Sequence, residues 1–149
     1  MVEHGGNEVQ AIAALLHDML EDCGGHHAPV IAERFGSEVL KIVEGLTDGM
    51  PDDHGVKPPW RERKELYVAH LENADLYVVL VSGCDKFHNA MAIADDHLVI
   101  GEAIFERFSQ PKYSMVWYYK ELERIISSRL GSDHRLVRKP DATLARWAC

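Results

Sequence analysis

Positive charge is scarce in this chain: 16 Lys and Arg stand against 24 Asp and Glu, a formal net charge of −8 over 149 residues. Affinity for a nucleic-acid backbone comes largely from cations that neutralise phosphate, so this balance excludes a general nucleic-acid binder. It does not exclude a small phosphorylated ligand, because a bound divalent ion supplies local positive charge that the net figure hides. Cysteine is scarce as well. Cys23, Cys84 and Cys149 make an odd count without metal-finger spacing, which excludes a disulfide framework and a thiolate zinc centre and fits a reducing cytoplasm. Nothing at Met1-Val2-Glu3-His4 resembles a signal peptide. No apolar run approaches the roughly 20 residues of a membrane span, so no membrane partner is expected.

The length is that of one domain, enough to bury about two-thirds of the unfolded surface around a single core. Helical signals dominate it. Asn7 is placed to cap a helix running to about Asp22, which Gly24-Gly25 ends; Pro29 fits the first turn of a short helix stopping at Gly36; and Ser37 can cap the next, whose apolar stripe is Val39, Leu40, Ile42, Val43 and Leu46. From Asp48 to Pro59, prolines, glycines and aspartates read as a long loop. Trp60, Lys64, Tyr67 and Leu71 share helical spacing, predicting a helix from Trp60 to about Asn73 with Arg61, Glu62, Arg63 and Glu65 solvated.

Leu76-Tyr77-Val78-Val79-Leu80-Val81 fits a strand or a buried helix; a lone strand has no partner here, so it is read as the start of a central helix reaching about Asp95. Helices over Leu98–Phe108 and Pro111–Leu130 follow, the latter with Tyr113, Val116, Trp117, Ile125 and Ile126 inward, and Gly131 closes it. The expected architecture is all-α: a single helical bundle over residues 1–131, then a tail over 132–149 that either docks as a short helix or is partly disordered.

The chemistry gathers around His17-Asp18. On one helix, His17, Asp18, Glu21 and Asp22 fall within roughly 140° of one face, and the apolar residues on either side predict that this helix lies deep in the fold. Buried carboxylates then need a cation or hydrogen bonds. Imidazole nitrogen with carboxylate oxygen suits Mn²⁺, Fe²⁺ or Zn²⁺. Asp85 is the best candidate for a third ligand, since it interrupts an apolar helix, and Asn89 one turn on could hydrogen-bond a ligand without adding charge. Glu21 and Asp22 remain as carboxylates beside the metal, where a hydrolase needs groups that accept or donate a proton while metal-bound water attacks. Among the basic residues Arg61, Arg63, Lys64, Lys86 and Lys112, Lys86 is the strongest candidate for phosphate contact because it adjoins Asp85.

Leu15-Leu16-His17-Asp18-Met19-Leu20-Glu21-Asp22, Phe35-Gly36, Val43-Glu44-Gly45-Leu46-Thr47, Pro58-Pro59-Trp60-Arg61-Glu62-Arg63-Lys64, Cys84-Asp85-Lys86-Phe87-His88-Asn89 and Trp117-Tyr118-Tyr119 occur in an order that resembles the HD-domain hydrolases of the RelA/SpoT type. The resemblance implies an all-helical HD domain that removes the 3′-pyrophosphate from guanosine tetra- or pentaphosphate, commonly with Mn²⁺. By position it implies His17, Asp18 and Asp85 as metal ligands, Glu21 and Asp22 as the catalytic acidic pair, and Asn89 as a nucleotide contact. That pattern begins with an earlier helix bearing a first metal-ligating His, and this chain starts too late to contain it; His4 lies too close to His17. Losing a ligand weakens a metal site. The second expectation is therefore a degenerate HD scaffold that binds a nucleotide or protein partner without catalysis, with an apolar groove that a second copy of the chain can fill. A third is that the native chain is longer.

Overall fold

The computed structural model describes residues 1–49, 56–138 and Trp147. Among the described residues there are helices and turns and no strand, as the all-α expectation requires. The α-helices are α1 (Glu8–Leu15), α2 (Met19–Cys23), α3 (Ala28–Phe35), α4 (Ser37–Leu46), α5 (Trp60–Leu71), α6 (Leu76–Ile100) and α7 (Lys112–Leu130). The chain divides into two compact units, Met1–Ser82 and Gly83–Cys149.

In the N-terminal unit, α1 starts with a reciprocal cap. The Gln10 backbone N–H donates to Asn7 Oδ1 at 3.0 Å and the Asn7 N–H donates to Gln10 Oε1 at 2.9 Å, an arrangement that stabilises a helix start by about 1 kcal/mol. α4 packs against α1, α2 and α3; of its expected stripe Val39, Ile42, Val43 and Leu46 are buried and Leu40 is half-buried. α4 begins at Ser37 with Gly36 in the capping position and no side-chain cap bond. α5 ends at Leu71 and buries Tyr67, Val68 and Leu71. Val78, Val79, Leu80 and Val81 are buried on every side at the start of α6, so their hydrophobic gain, about 1.5–3 kcal/mol per side chain, does not depend on strand pairing. The buried Ser82 hydroxyl lies 2.8 Å from that of Tyr67, which joins α5 to α6.

The C-terminal unit is built from the remainder of α6 and α7. α6 continues to Ile100, beyond the expected end near Asp95. The helix expected over Leu98–Phe108 is a 3₁₀ segment, Gly101–Arg107. Gly101 has φ +63°, where a right-handed α-helix cannot continue. α7 has the expected bounds but a different phase: Ser114, Met115, Tyr118, Tyr119, Leu122, Ile125 and Ile126 are buried, while Tyr113, expected inward, is 76% exposed. In the tail, residues 132–138 form turns with Leu136 buried, and Trp147 is buried between Phe105 and Tyr119, its ring centroid 5.8 and 5.5 Å from theirs. The rest of the tail and residues 50–55 of the predicted loop lie outside the described residues.

Candidate metal and catalytic site

His17 and Asp18 do not lie within one continuous helix. α1 ends at Leu15 and α2 begins at Met19, so the pair occupies the break between them. The Leu16 N–H is shared between the carbonyls of Ile12 and Ala13, at 3.2 and 3.1 Å, and the Met19 N–H donates to Leu16. The His17 ring supplies the local cause: its Nδ1 lies 2.8 Å from the Ala14 carbonyl, the acceptor that an uninterrupted helix would give to residue 18. The common helix face expected for His17, Asp18, Glu21 and Asp22 is thus replaced by a turn followed by a short helix.

Deep burial is also overturned for Asp18 and Asp22, whereas His17 and Glu21 are partly covered. The Asp18 and Asp22 side chains are 56% and 70% exposed, and Leu15 just before them is 86% exposed. The break turns the acidic end of the segment toward solvent, so water carries much of the charge that a buried helix would have left to a cation.

A carbonyl only accepts, so His17 Nδ1 is the donor to Ala14 and the neutral ring presents a lone pair at Nε2. That nitrogen is 2.9 Å from Asp18 Oδ2. At this distance a ring protonated at both nitrogens donates to the carboxylate as an ordinary ion pair, whereas a neutral ring would leave two acceptors that suit a cation. Anchoring one imidazole nitrogen on a carbonyl is how metal-ligating histidines are oriented, so the donor set of this pair fits a divalent ion.

Glu21 is three-quarters buried and meets cations from outside its own helix. Lys57 Nζ is 2.8 Å and Arg63 Nη1 is 3.6 Å from Glu21 Oε1, and Lys57 Nζ is 4.0 Å from Asp22 Oδ1. Arg63, expected in solvent, is only 13% exposed, and its Nη1 is 2.5 Å from Oδ1 of Asp48, a carboxylate 4% exposed that also pairs with Lys64. Asp48 and Lys57 were not among the expected site residues, and Arg63 was weighed only as a phosphate contact or a solvated side chain. One signal in the sequence could have found them: Lys64 shares the apolar spacing of Trp60, Tyr67 and Leu71, and a cation on a buried stripe calls for a buried anion. A cavity of 330 Å³ lined by Leu20, Gly25, Ala28, Glu44, Thr47 and Gly49 adjoins this corner in sequence. A larger one of 540 Å³, lined by residues including Asn7, Gln10, Lys41, Asp75 and Tyr77, contains none of the expected site residues.

Asp85, Lys86 and Asn89 come together in the C-terminal unit. Lys86 Nζ lies 2.7 Å from Asp85 Oδ2, and Asn89 Nδ2 donates to Asp85 Oδ1 at 3.1 Å. The 14% exposed Asp85 carboxylate is therefore already compensated, which removes the premise that it would be an uncompensated charge without a metal. Burial pushes the Tyr119 phenol up to about 12, with Lys86 lowering and Asp85 raising it. Burial also pushes the Cys84 thiol up, away from the thiolate a metal would need; Cys23 is exposed. Among the described residues, no group of three or more His, Cys, Asp and Glu side chains is arranged to hold a metal ion, and no helix is long and apolar enough to cross a membrane.

A family profile described as an HD domain matches residues 1–131. Two curated proteins of Arabidopsis thaliana, each called "Probable GTP diphosphokinase RSH3, chloroplastic", are 28% identical to the chain over 95 and 98 residues; these alignments cover 62% of this chain but only 13% and 14% of theirs. The crystal structure of lmo0812 from Listeria monocytogenes EGD-e superposes with a TM-score of 0.79 at 19% identity, over 96% of this chain and 90% of that one.

Proposed function

The chain belongs to the HD-domain family, and on that premise we propose that it is a metal-dependent phosphohydrolase of the RelA/SpoT type acting on a guanosine pyrophosphate. The observation that carries the proposal is the His17–Asp18 pair, with Nδ1 anchored on Ala14 and Nε2 facing the carboxylate at 2.9 Å. The mixed imidazole and carboxylate donors suit Mn²⁺ among divalent ions, and Asp85 is taken as a further ligand on the resemblance to the RelA/SpoT-type HD hydrolases alone. A divalent ion held there would supply a more acidic water and a Lewis acid for a phosphoryl oxygen.

The protein's own groups do the rest. Glu21 and Asp22 take and return the proton, the less exposed Glu21 being the more constrained of the two. Asn89 and Lys86 contact the substrate, Lys86 through its ammonium and Asn89 through its amide. The guanine-nucleotide class is supported by the curated relatives, which are named for acting on GTP; the acidic pair beside the HD residues supports hydrolysis rather than pyrophosphoryl transfer.

One observation favours the alternative of a non-catalytic HD scaffold that binds a nucleotide: Asp85 is already neutralised by Lys86 and Asn89. The two separate in one assay. Guanosine 5′-diphosphate 3′-diphosphate is incubated with the protein plus Mn²⁺, with and without chelator, and pyrophosphate release is followed. Release that the chelator and His17→Ala both abolish supports the hydrolase. Binding of the nucleotide without release supports the scaffold.

A further inference from the structure

We propose that the Asp48-Gly49 turn is a positioning device that sets Glu21 through Arg63, a role that rests on Glu21 acting as a proton-transfer carboxylate. Asp48 is a buried carboxylate just after the C-terminus of α4, and such a group is costly unless cations meet it. It is met by Arg63 Nη1 and Lys64 Nζ, both on α5 and both largely buried. Arg63 is held at more than one point: its Nε donates to the Pro58 carbonyl at 3.2 Å, while Nη1 bonds Asp48 and stands 3.6 Å from Glu21 Oε1. A planar guanidinium fixed on two acceptors has its remaining direction set.

Gly49 closes the device. Its φ is +146°, and a Cβ there would lie 2.7 Å from Arg63 Cδ, so only glycine lets the turn fold over the arginine stem. Lys57 meets the same Glu21 oxygen at 2.8 Å. With Oε1 engaged by two cations, the proton step falls to Oε2, and the rotamer of Glu21 is set by residues that follow it by many positions in sequence. A lysine at position 63 is a point charge that cannot span three acceptors in one plane.

The test uses Asp48→Asn, Gly49→Ala and Arg63→Lys in the full chain, with Lys41→Met in the exposed Lys41–Asp75 pair as a control. Asp48→Asn and Gly49→Ala are expected to lower kcat for guanosine pyrophosphate hydrolysis about tenfold or more with KM within about twofold, and Lys41→Met to leave both unchanged. If Asp48→Asn fails to fold, Gly49→Ala, which alters no charge, decides. An unchanged kcat in an active protein overturns the proposal.

A second readout needs no activity. Asp48→Asn and Glu21→Gln should act non-additively on the unfolding equilibrium constant by about threefold or more, and this coupling should vanish in an Arg63→Met background. Additive effects overturn the proposal whether or not the protein hydrolyses anything. Absence of turnover in the unaltered protein, with the coupling present, overturns the hydrolase assignment and leaves the positioning contact supported.

Discussion

Glu21 in the N-terminal unit and Asp85 in the C-terminal unit each have a lysine ammonium within 3 Å, at 2.8 and 2.7 Å, yet those ammonium groups reach them by different routes. Asp85 is served by its own helix, from Lys86 next to it and Asn89 one turn later. Glu21 is served from outside its helix, by Lys57 before α5 and by Arg63 within it, the latter gripped by Asp48 after α4. A local pair forms wherever its helix forms. A convergent one exists only when α2, α4 and α5 are all in place, so its geometry reports on the folded N-terminal unit and can be tuned by residues that touch no ligand.

The largest expected break in that comparison is chemical. Glu21→Gln, which keeps the shape and removes the proton acceptor, should lower kcat by about 10²–10⁴ while leaving metal content as it was; an unchanged kcat moves the proton step elsewhere. The next concerns the C-terminal unit. The Tyr119 phenol has its pKa raised from 10.0 to about 12, so the folded chain holds this proton more tightly than the unfolded one. Stability from this group is whole below pH 10 and is lost as pH rises through 12, on the order of 2–3 kcal/mol. Denaturant unfolding at pH 8 and pH 12 should show the loss, and Tyr119→Phe should remove this part of it.

Compensation itself can be compared directly. Lys86→Met takes the ammonium from a mostly buried carboxylate and should cost about 1–3 kcal/mol, whereas Lys57→Met leaves Arg63 against Glu21 and should cost under about 1 kcal/mol. Equal losses in unfolding experiments would erase the distinction between the two sites. The smallest effect is the N-terminal cap, where Asn7→Ala should cost about 1 kcal/mol with no change in the kinetics of the Glu21 corner.

What could be read in the sequence follows the same division. Asn7, Gly24, Pro29, Gly36, Pro111 and Gly131 mark helix ends through local chemistry, and every one of those ends lies within a residue or so of its expected place. The His17–Asp18 break was not legible, because it depends on an imidazole taking a carbonyl from the helix ladder, an option that spacing does not encode. Arg63 looked solvated because the helical pattern carries no information about Asp48, 15 residues earlier, folding over it. Asp85 was recognised as a buried charge while its neighbour Lys86 was assigned to substrate, so the pair was missed. The phase of α7 slipped at its start, where Tyr113, Val116 and Trp117 read as inward while Ser114, Met115, Tyr118 and Tyr119 are the buried residues and Tyr113 is exposed. Of the candidate site, the residue types were visible; the cations that hold Glu21 in place were not.

His17, Asp18 and Asp85 are proposed as the ligands of a divalent ion. Elemental analysis of the purified protein after Mn²⁺ incubation and gel filtration tests that assignment, beside His17→Ala and Asp85→Ala. Near-stoichiometric metal in the unaltered protein that is lost in both variants is the predicted result. Metal content that is absent throughout, or that survives both substitutions, would contradict it.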